Sequence, residues 1–251
     1  MVNIIMHGCN GKMGQTISKL LSADLNLKIV AGIDAFDNGS NPYPVYKNIN
    51  DCDITADVII DFSIESAIEA LLNYSALKQI PCVLCTTGLS EKQQKLLVKT
   101  AENVAILKSA NMSLGINLLL KMLKEATNIL APAGFDIEIV EKHHNQKVDA
   151  PSGTALALGD SINEELNNEY AYIYDRSQTR TKRTGKEIGY SVIRGGTIVG
   201  EHDVIFAGTD EIVTFSHTAY SRTVFAKGAI EAAKFLAGKP AGLYTMADVI
   251  G

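Results

Sequence analysis

His143 and His144 stand side by side, Lys147 follows on the same connection, and Pro151-Ser152-Gly153-Thr154 reads as the opening of a helix. An imidazole titrates near neutral pH and can give a proton to a transition state. Lys147 can hold a carboxylate or donate a proton itself. Pro151 suits the approach to a helix and Ser152 its N-cap, which leaves the N–H groups of Gly153 and Thr154 for a second carboxylate. Together these residues suit a site that holds a dicarboxylate and protonates it. Asp149 orients Lys147 or a histidine, or only starts the turn, and both readings stand. The strand expected over residues 135–142 places Ile137 and Ile139 on one side. If it ran on, His143 and His144 would face opposite ways, so for both to serve one site it must end or bend there. His202 and His217 are read as structural.

A second constellation lies near the N-terminus. A strand over residues 2–7 runs into Gly8-Cys9-Asn10-Gly11-Lys12-Met13-Gly14, which opens a helix. Glycines there allow a tight turn and close approach of backbone to a pyrophosphate at the helix N-terminus. The spacing is GxxGxxG, and a lone glycine motif is weak by itself. Its context strengthens it, because Asp34 lies 20 residues beyond Gly14 at the end of the next strand, where it can accept hydrogen bonds from ribose hydroxyls. Ala35 and Phe36 follow Asp34 with no arginine for a 2′-phosphate, which leans toward NADH; Lys12 in the glycine loop can reach such a phosphate, so NADPH stays open. Thr86-Thr87-Gly88, next to Cys85, and Ser109-Ala110-Asn111-Met112 end later strands and are candidate nicotinamide contacts. Each reads equally well as a simple turn. The second is also a candidate hinge, paired with residues 220–222, about which the domains would close on their ligands.

The elements that position these residues fall into two groups. Strands are expected at residues 2–7, 28–33, 57–62, 82–86 and 104–108. Helices are expected at 13–21, at 64–77 behind Ser63 as cap, and at 91–102 behind Ser90. This alternation indicates a parallel sheet covered by helices. Residues 112–130 then read as one long amphipathic helix, with Met112, Ile116, Leu119, Leu123, Ala126 and Leu130 along one stripe. Strands at 135–142, 189–193, 198–207 and 211–216 follow without regular helices between them, suggesting a largely antiparallel α+β second domain. Residues 167–187 are polar and carry Arg176, Arg180, Lys182, Arg183 and Lys186; a solvated loop is favoured over a lid for an acidic ligand. Residues 222–236 form a last helix, ended by Gly238. The expected division is a dinucleotide domain over 1–110 and 221–251, and a substrate domain over 111–220.

Composition narrows the class. The chain of 251 residues is 46% hydrophobic and 20% charged, which suits a soluble globular protein. A net charge of −5 gives no general case for nucleic acid or an anionic membrane. No apolar run reaches the length of a membrane-spanning helix, and no secretory leader opens the chain, so a cytoplasmic location is expected. Cys9 and Cys52 are isolated; Cys82 and Cys85 sit in a buried strand pointing to opposite faces, and no second pair stands at a zinc spacing. No metal is expected.

Over nearly its whole length the chain resembles the dihydrodipicolinate reductase (4-hydroxy-tetrahydrodipicolinate reductase) family. The resemblance is carried by Gly8–Gly14, Cys85-Thr86-Thr87-Gly88, Ser109-Ala110-Asn111-Met112, His143–Ala155, Arg194-Gly195-Gly196, Ile198–His202 and Ser221-Arg222; the block from His143 to Ala155 is its specific part. It implies a Rossmann-like N-terminal domain completed by the C-terminal helix, and a central substrate domain that forms a homotetramer. It also implies hydride transfer from NADH or NADPH to a cyclic unsaturated dicarboxylate in diaminopimelate and lysine formation. Carried over by position, His143 is the proton donor and Lys147 a second donor and substrate contact. His144, Ser152, Gly153 and Thr154 are the other substrate contacts. Ala35 and Lys12 depart from arginines that some members carry, which leaves cofactor preference open. Another two-domain amino-acid dehydrogenase, such as an aspartate dehydrogenase, would share the nucleotide-binding constellation but has no evident need for Lys147 together with Ser152-Gly153-Thr154. A nicotinamide-sensing regulator would need a partner-binding module, and the chain shows no spare segment for one.

Overall fold

The computed structural model describes residues 1–37, 39–177 and 180–251. The chain begins with β1 (Val2–His7), α1 (Lys12–Leu21), β2 (Leu27–Ile33), β3 (Val45–Tyr46), β4 (Val58–Asp61), α2 (Ile68–Lys78), β5 (Cys82–Leu84), α3 (Glu91–Ala101) and β6 (Ala105–Lys108). The five expected strands appear within two residues of their expected bounds, because strands buried on both faces read as continuous apolar runs. Ser90 caps α3 as expected: its Oγ accepts the Gln93 N–H, and the Gln93 side chain accepts the Ser90 N–H. Ser63 does not cap α2. Its N–H goes instead to the Asp61 carboxylate at 3.2 Å; a 3-10 turn over Glu65–Ala67 intervenes, and α2 starts only at Ile68.

The next helix, α4 (Leu114–Leu130), starts two residues later than expected. The Asn111 Oδ1 accepts the Ser113 N–H at 2.8 Å, a local turn that competes with helix. Then come β7 (Asp136–His143), α5 (Gly153–Glu165), β8 (Ala171–Ile173), β9 (Glu187–Arg194), β10 (Gly200–Ala207) and β11 (Ile212–Ala219). Their sheet has the order β11-β10-β7-β9-β8. The first three strands are antiparallel, but β9 runs parallel to both β7 and β8, so the layer is mixed rather than largely antiparallel. The cause is α5, which supplies the crossover that a parallel β7–β9 pair requires. The polar stretch expected as a loop contains a strand, β8, at Ala171–Ile173. Arg183 donates to the carbonyls of Ile137 and Glu187 and to Glu138, Arg176 pairs with Glu187, and Lys186 with Glu169. These basic residues tie the segment to its own surroundings, which favours a structural role over a lid.

Last come α6 (Thr223–Leu236), β12 (Gly242–Tyr244) and α7 (Met246–Ile250). Gly238, at φ +80°, ends the run of α6 in the left-handed conformation. Strand β12 pairs with β6, giving a parallel sheet of order β12-β6-β5-β4-β1-β2-β3. The chain thus divides into two units, Met1–Ser113 with Thr223–Gly251, and Leu114–Arg222. In the first, Ile4, Met6 and Val83 pack on the α1 and α6 side, and Ile5, Ile59, Cys82 and Leu84 on the α2 and α3 side. Cys82 and Cys85 therefore lie on opposite faces, as expected. In the second unit, Leu119 and Leu123 of α4 and Leu158 and Ile162 of α5 cover Ile137, Ile139, Val204 and Phe206. Burying one such side chain contributes about 1.5–3 kcal/mol, so these helices fix the strands that carry the polar groups.

Candidate active site

Along β7 every second residue is buried, and the series Ile137, Ile139, Glu141, His143 lines the inner face. The last two positions hold a carboxylate and an imidazole where the pattern calls for apolar groups. The Glu141 carboxylate is 0% exposed and fully engaged. Its Oε2 lies 2.5 Å from His143 Nδ1 and 2.8 Å from Arg194 Nη1; its Oε1 accepts from Arg194 Nη2 at 2.7 Å and from the Ser152 N–H at 3.0 Å. Burial pushes Glu141 up, but the hydrogen bonds from Arg194, His143 and Ser152 outweigh it and hold the carboxyl below its ordinary value. Burial pushes His143 down; Glu141 opposes this, and the charges of Lys147 and Arg194 add to the lowering.

The strand ends at His143, so the two histidines separate: His143 is buried, while His144 is half-buried in the following turn, its carbonyl accepting the Lys147 N–H. Gly195 and Gly196 pin this turn through His143 O and Asn145 N. Lys147 Nζ sits 2.7 and 2.9 Å from the two Asp149 oxygens, so of the two readings of Asp149 the structure selects its pairing with Lys147. Ser152 is the N-cap of α5, its Oγ accepting the Ala155 N–H at 3.2 Å. The Gly153 N–H helps hold the Asp149 carboxyl below its ordinary value, after the larger effect of Lys147. A Cβ on Gly153 would meet nothing within 4 Å, so this helix start faces open space. Thr154 follows in the first turn of the helix.

His202, read from sequence as structural, belongs to this cluster. Its ring packs edge-on against His143 with centroids 5.1 Å apart, and its Nε2 lies 3.2 Å from Ser152 Oγ. Burial first, and the neighbouring His143 second, push it down to about 4, so it is neutral at pH 7. Glu141 and Arg194 were missed as well. The signal available was a glutamate at an inward position two residues before His143.

In the other unit the glycine turn is built by close packing. A Cβ on Gly14 would lie 2.3 Å from Gly8 O, and one on Gly8 2.5 Å from Phe62 O. Gly11 precedes α1 without any side-chain cap, which leaves a helix N-terminus suited to a pyrophosphate. Lys12 is exposed at its first turn. Asp34 accepts the Asn10 N–H at 2.9 Å and the Phe36 N–H at 3.2 Å. It lines a cavity of about 340 Å³ with His7, Gly8, Gly11, Ala35 and Lys47; Lys47 had drawn no notice in the sequence. Thr86 is fixed between the buried Asp61, to which its hydroxyl donates at 2.7 Å, and Lys108, which donates to its carbonyl. His7 Nδ1 is 2.8 Å from the same Asp61, and this buried trio at the strand ends was not foreseen. Thr87, Ser109 and Ala110 line a second cavity of about 430 Å³. Cys9 and Met112 are buried in the core, so these two have only backbone to offer a ligand, while Cys85 and Met13 pack against it half-buried. Asn111 turns its side-chain oxygen to Ser113. Among the described residues no group of His, Cys, Asp or Glu could hold a metal ion, and no helix is long and apolar enough to cross a membrane.

A parallel sheet with this glycine turn and acidic strand end, in one chain with a cluster of buried imidazoles beside a lysine and a helix start, fits an oxidoreductase that uses a nicotinamide dinucleotide. Residues 2–112 match the family described as dihydrodipicolinate reductase, N-terminus, and residues 115–250 match dihydrodipicolinate reductase, C-terminus. The 4-hydroxy-tetrahydrodipicolinate reductase of Caldanaerobacter subterraneus subsp. tengcongensis is 50% identical over 250 residues, covering 100% of this chain and 98% of the relative. The enzyme of that name from Clostridium novyi is also 50% identical over 250 residues, with the same coverage. In fold, the dipicolinate-bound dihydrodipicolinate reductase from Paenisporosarcina sp. TG-14 superimposes with a TM-score of 0.82 at 24% identity, over 98% of this chain and 97% of that one. The chain belongs to the dihydrodipicolinate reductase family.

Proposed function

We propose that the chain reduces 4-hydroxy-tetrahydrodipicolinate to tetrahydrodipicolinate in diaminopimelate and lysine formation, with His143 and Lys147 as its proton-handling residues. One observation supports the residue assignment: the Asp149 carboxylate lies 2.7 and 2.9 Å from Lys147 Nζ, so this lysine is placed to hold a carboxylate. In this reading Lys147 holds one substrate carboxylate, and Ser152, Gly153 and Thr154 hold the other, with His144 beside them. The first unit binds the dinucleotide through residues 8–13, Asp34, residues 85–87 and residues 109–112; the second binds substrate. The bound nicotinamide supplies the hydride. His143 protonates the negative charge that develops on the ring, and a dianionic substrate raises the proton affinity that burial has lowered.

Asp34 favours NADH, since its charge opposes a 2′-phosphate, while Lys12 and Lys47 offset that charge enough to admit NADPH. A strong preference for NADPH in a comparison of KM values would overturn the first half of this reading. The assembly is read as a homotetramer, as the family resemblance implies; sedimentation as a monomer would refute it. Four free cysteines support a reducing, cytoplasmic setting. The decisive assay feeds the protein freshly made product of the upstream synthase and follows NADH and NADPH oxidation, with aspartate-type substrates as controls. Turnover of the controls alone would replace this function by that of an amino-acid dehydrogenase.

A further inference from the structure

A buried carboxylate that accepts four hydrogen bonds is costly to build unless it organises something. Glu141 is such a group, and its four donors come from three places in the chain. His143 Nδ1 is on the same strand, the two Arg194 nitrogens are on β9, and the Ser152 N–H is at the start of α5. Arg194 Nη2 also donates to the carbonyl of Asp149 at 2.7 Å, on the loop that carries Lys147. One carboxylate thus links the imidazole, the helix start and the lysine loop. Nothing in the family match or in the function above assigns it a role.

We propose that Glu141 is the positioning residue of this site. It fixes the proton of His143 on Nδ1, so that the titrating proton is the one on Nε2, and it holds that imidazole in register with the carboxylate-binding turn at Ser152–Thr154. The geometry around the ring supports this. Nε2 has no hydrogen-bond partner among the described residues, and the side of the ring it occupies is lined by Gly200, where even a Cβ would come within 3.1 Å of it. The groups facing the ring are Glu141 on β7, Arg194 on β9, Lys147 with Asp149 on the loop, Ser152 at the helix start, and His202 on β10 with His217 across from it on β11. Among the charged groups of this set, Glu141 alone is bonded to the ring, and it favours the cationic form. A neutral imidazole with its proton on Nδ1 is therefore ready to take a second proton at Nε2 and deliver it.

This rests on the assignment of His143 as proton donor, and the tests separate the two. In Glu141→Gln the amide keeps the shape but loses the charge. The expected result is a kcat lower by about 100-fold with KM changed less than about threefold. The loss of rate at high pH should also move to lower pH, because the imidazolium has lost its counter-charge. Glu141→Asp should restore part of kcat and of the pH profile. If His143→Gln abolishes turnover while Glu141→Gln keeps kcat and the pH limb, positioning by Glu141 is refuted and the role of His143 stands. If His143→Gln turns over normally, the function's assignment fails first. A measurement on the unaltered protein covers the case in which Glu141→Gln does not fold. Nitrogen-15 histidine spectra at pH 7 should show His143 neutral with its proton on Nδ1, and addition of dipicolinate should shift Nε2 toward the protonated form. A proton resident on Nε2 in the free protein would overturn the proposal.

Discussion

The Asp149 carboxylate lies within 2.7 and 2.9 Å of Lys147 Nζ, so a carboxylate of the chain itself covers the cation assigned to the substrate. The Lys147 hydrogen bond, as the largest cause, holds Asp149 below its ordinary value, which keeps it anionic across the working pH range. With the Asp149 side chain 58% exposed, water competes for the pair, and its worth is about 0.5–1 kcal/mol. A substrate must displace it. Asp149→Asn should therefore tighten dipicolinate binding, measured by calorimetry, about two- to fivefold. Weaker binding would mean that Asp149 instead keeps Lys147 in place.

The two proton-handling residues should separate by kinetic signature. His143→Gln removes a group needed in the transition state, and kcat should fall about 100-fold or more with little change in KM. Lys147→Ala removes a carboxylate contact as well, so KM should rise together with a fall in kcat. An unchanged KM for Lys147→Ala in steady-state assays would argue against its role in binding.

The parallel strands were legible because burial on both faces leaves uninterrupted apolar runs, and α3 because the Ser90 and Gln93 capping box is a local signal. The candidate residues of the second unit were legible for the same reason: His143, Lys147 and Ser152 lie within ten residues of one another. What escaped reading depends on pairings distant in sequence. Arg194 meets Glu141 across 53 residues, and only the β7–β9 register brings them together. His202 reaches Ser152 across 50 residues through the β7–β10 pairing. Ser63 failed as a cap because a 3-10 turn over Glu65–Ala67 intervenes, so that Ala67 precedes the first residue of α2. The short strands β3 and β12, of two and three residues, carry too little pattern for any periodicity to show.

Gly200 tests where Nε2 of His143 points. Its Cβ would stand 3.1 Å from Nε2 and 3.5 Å from Cδ2, a contact that requires the ring to give by a few tenths of an ångström. The ring is held at Nδ1 by Glu141, so it cannot tilt away without stretching that bond. Gly200→Ala should fold, keep its cofactor affinity, and lose about tenfold in kcat, equivalent to ~1.4 kcal/mol of barrier. Activity within a factor of about two, at an unchanged thermal midpoint, would mean that Nε2 is not the working nitrogen.

His202 should leave its mark on stability against pH. In the folded protein burial lowers it to about 4, while in the unfolded chain it titrates near its ordinary 6.5. Between these values the unfolded chain binds more protons than the folded one, so stability falls as pH falls through that window. The contribution is complete above about pH 7 and, at the full shift, amounts to roughly 3 kcal/mol lost by pH 4. Burial lowers His143 and His217 in the same direction, so the wild-type curve sums several groups. Glu141 and Asp61, held below the ordinary carboxylate value, add their losses only at lower pH. The difference between wild type and His202→Gln isolates one imidazole, because glutamine can keep a hydrogen bond to Ser152 without titrating. Thermal midpoints recorded from pH 7.5 to 4 should fall less steeply for the variant, with the gap opening below about pH 6.5. Parallel curves would show that His202 is not held neutral by the fold.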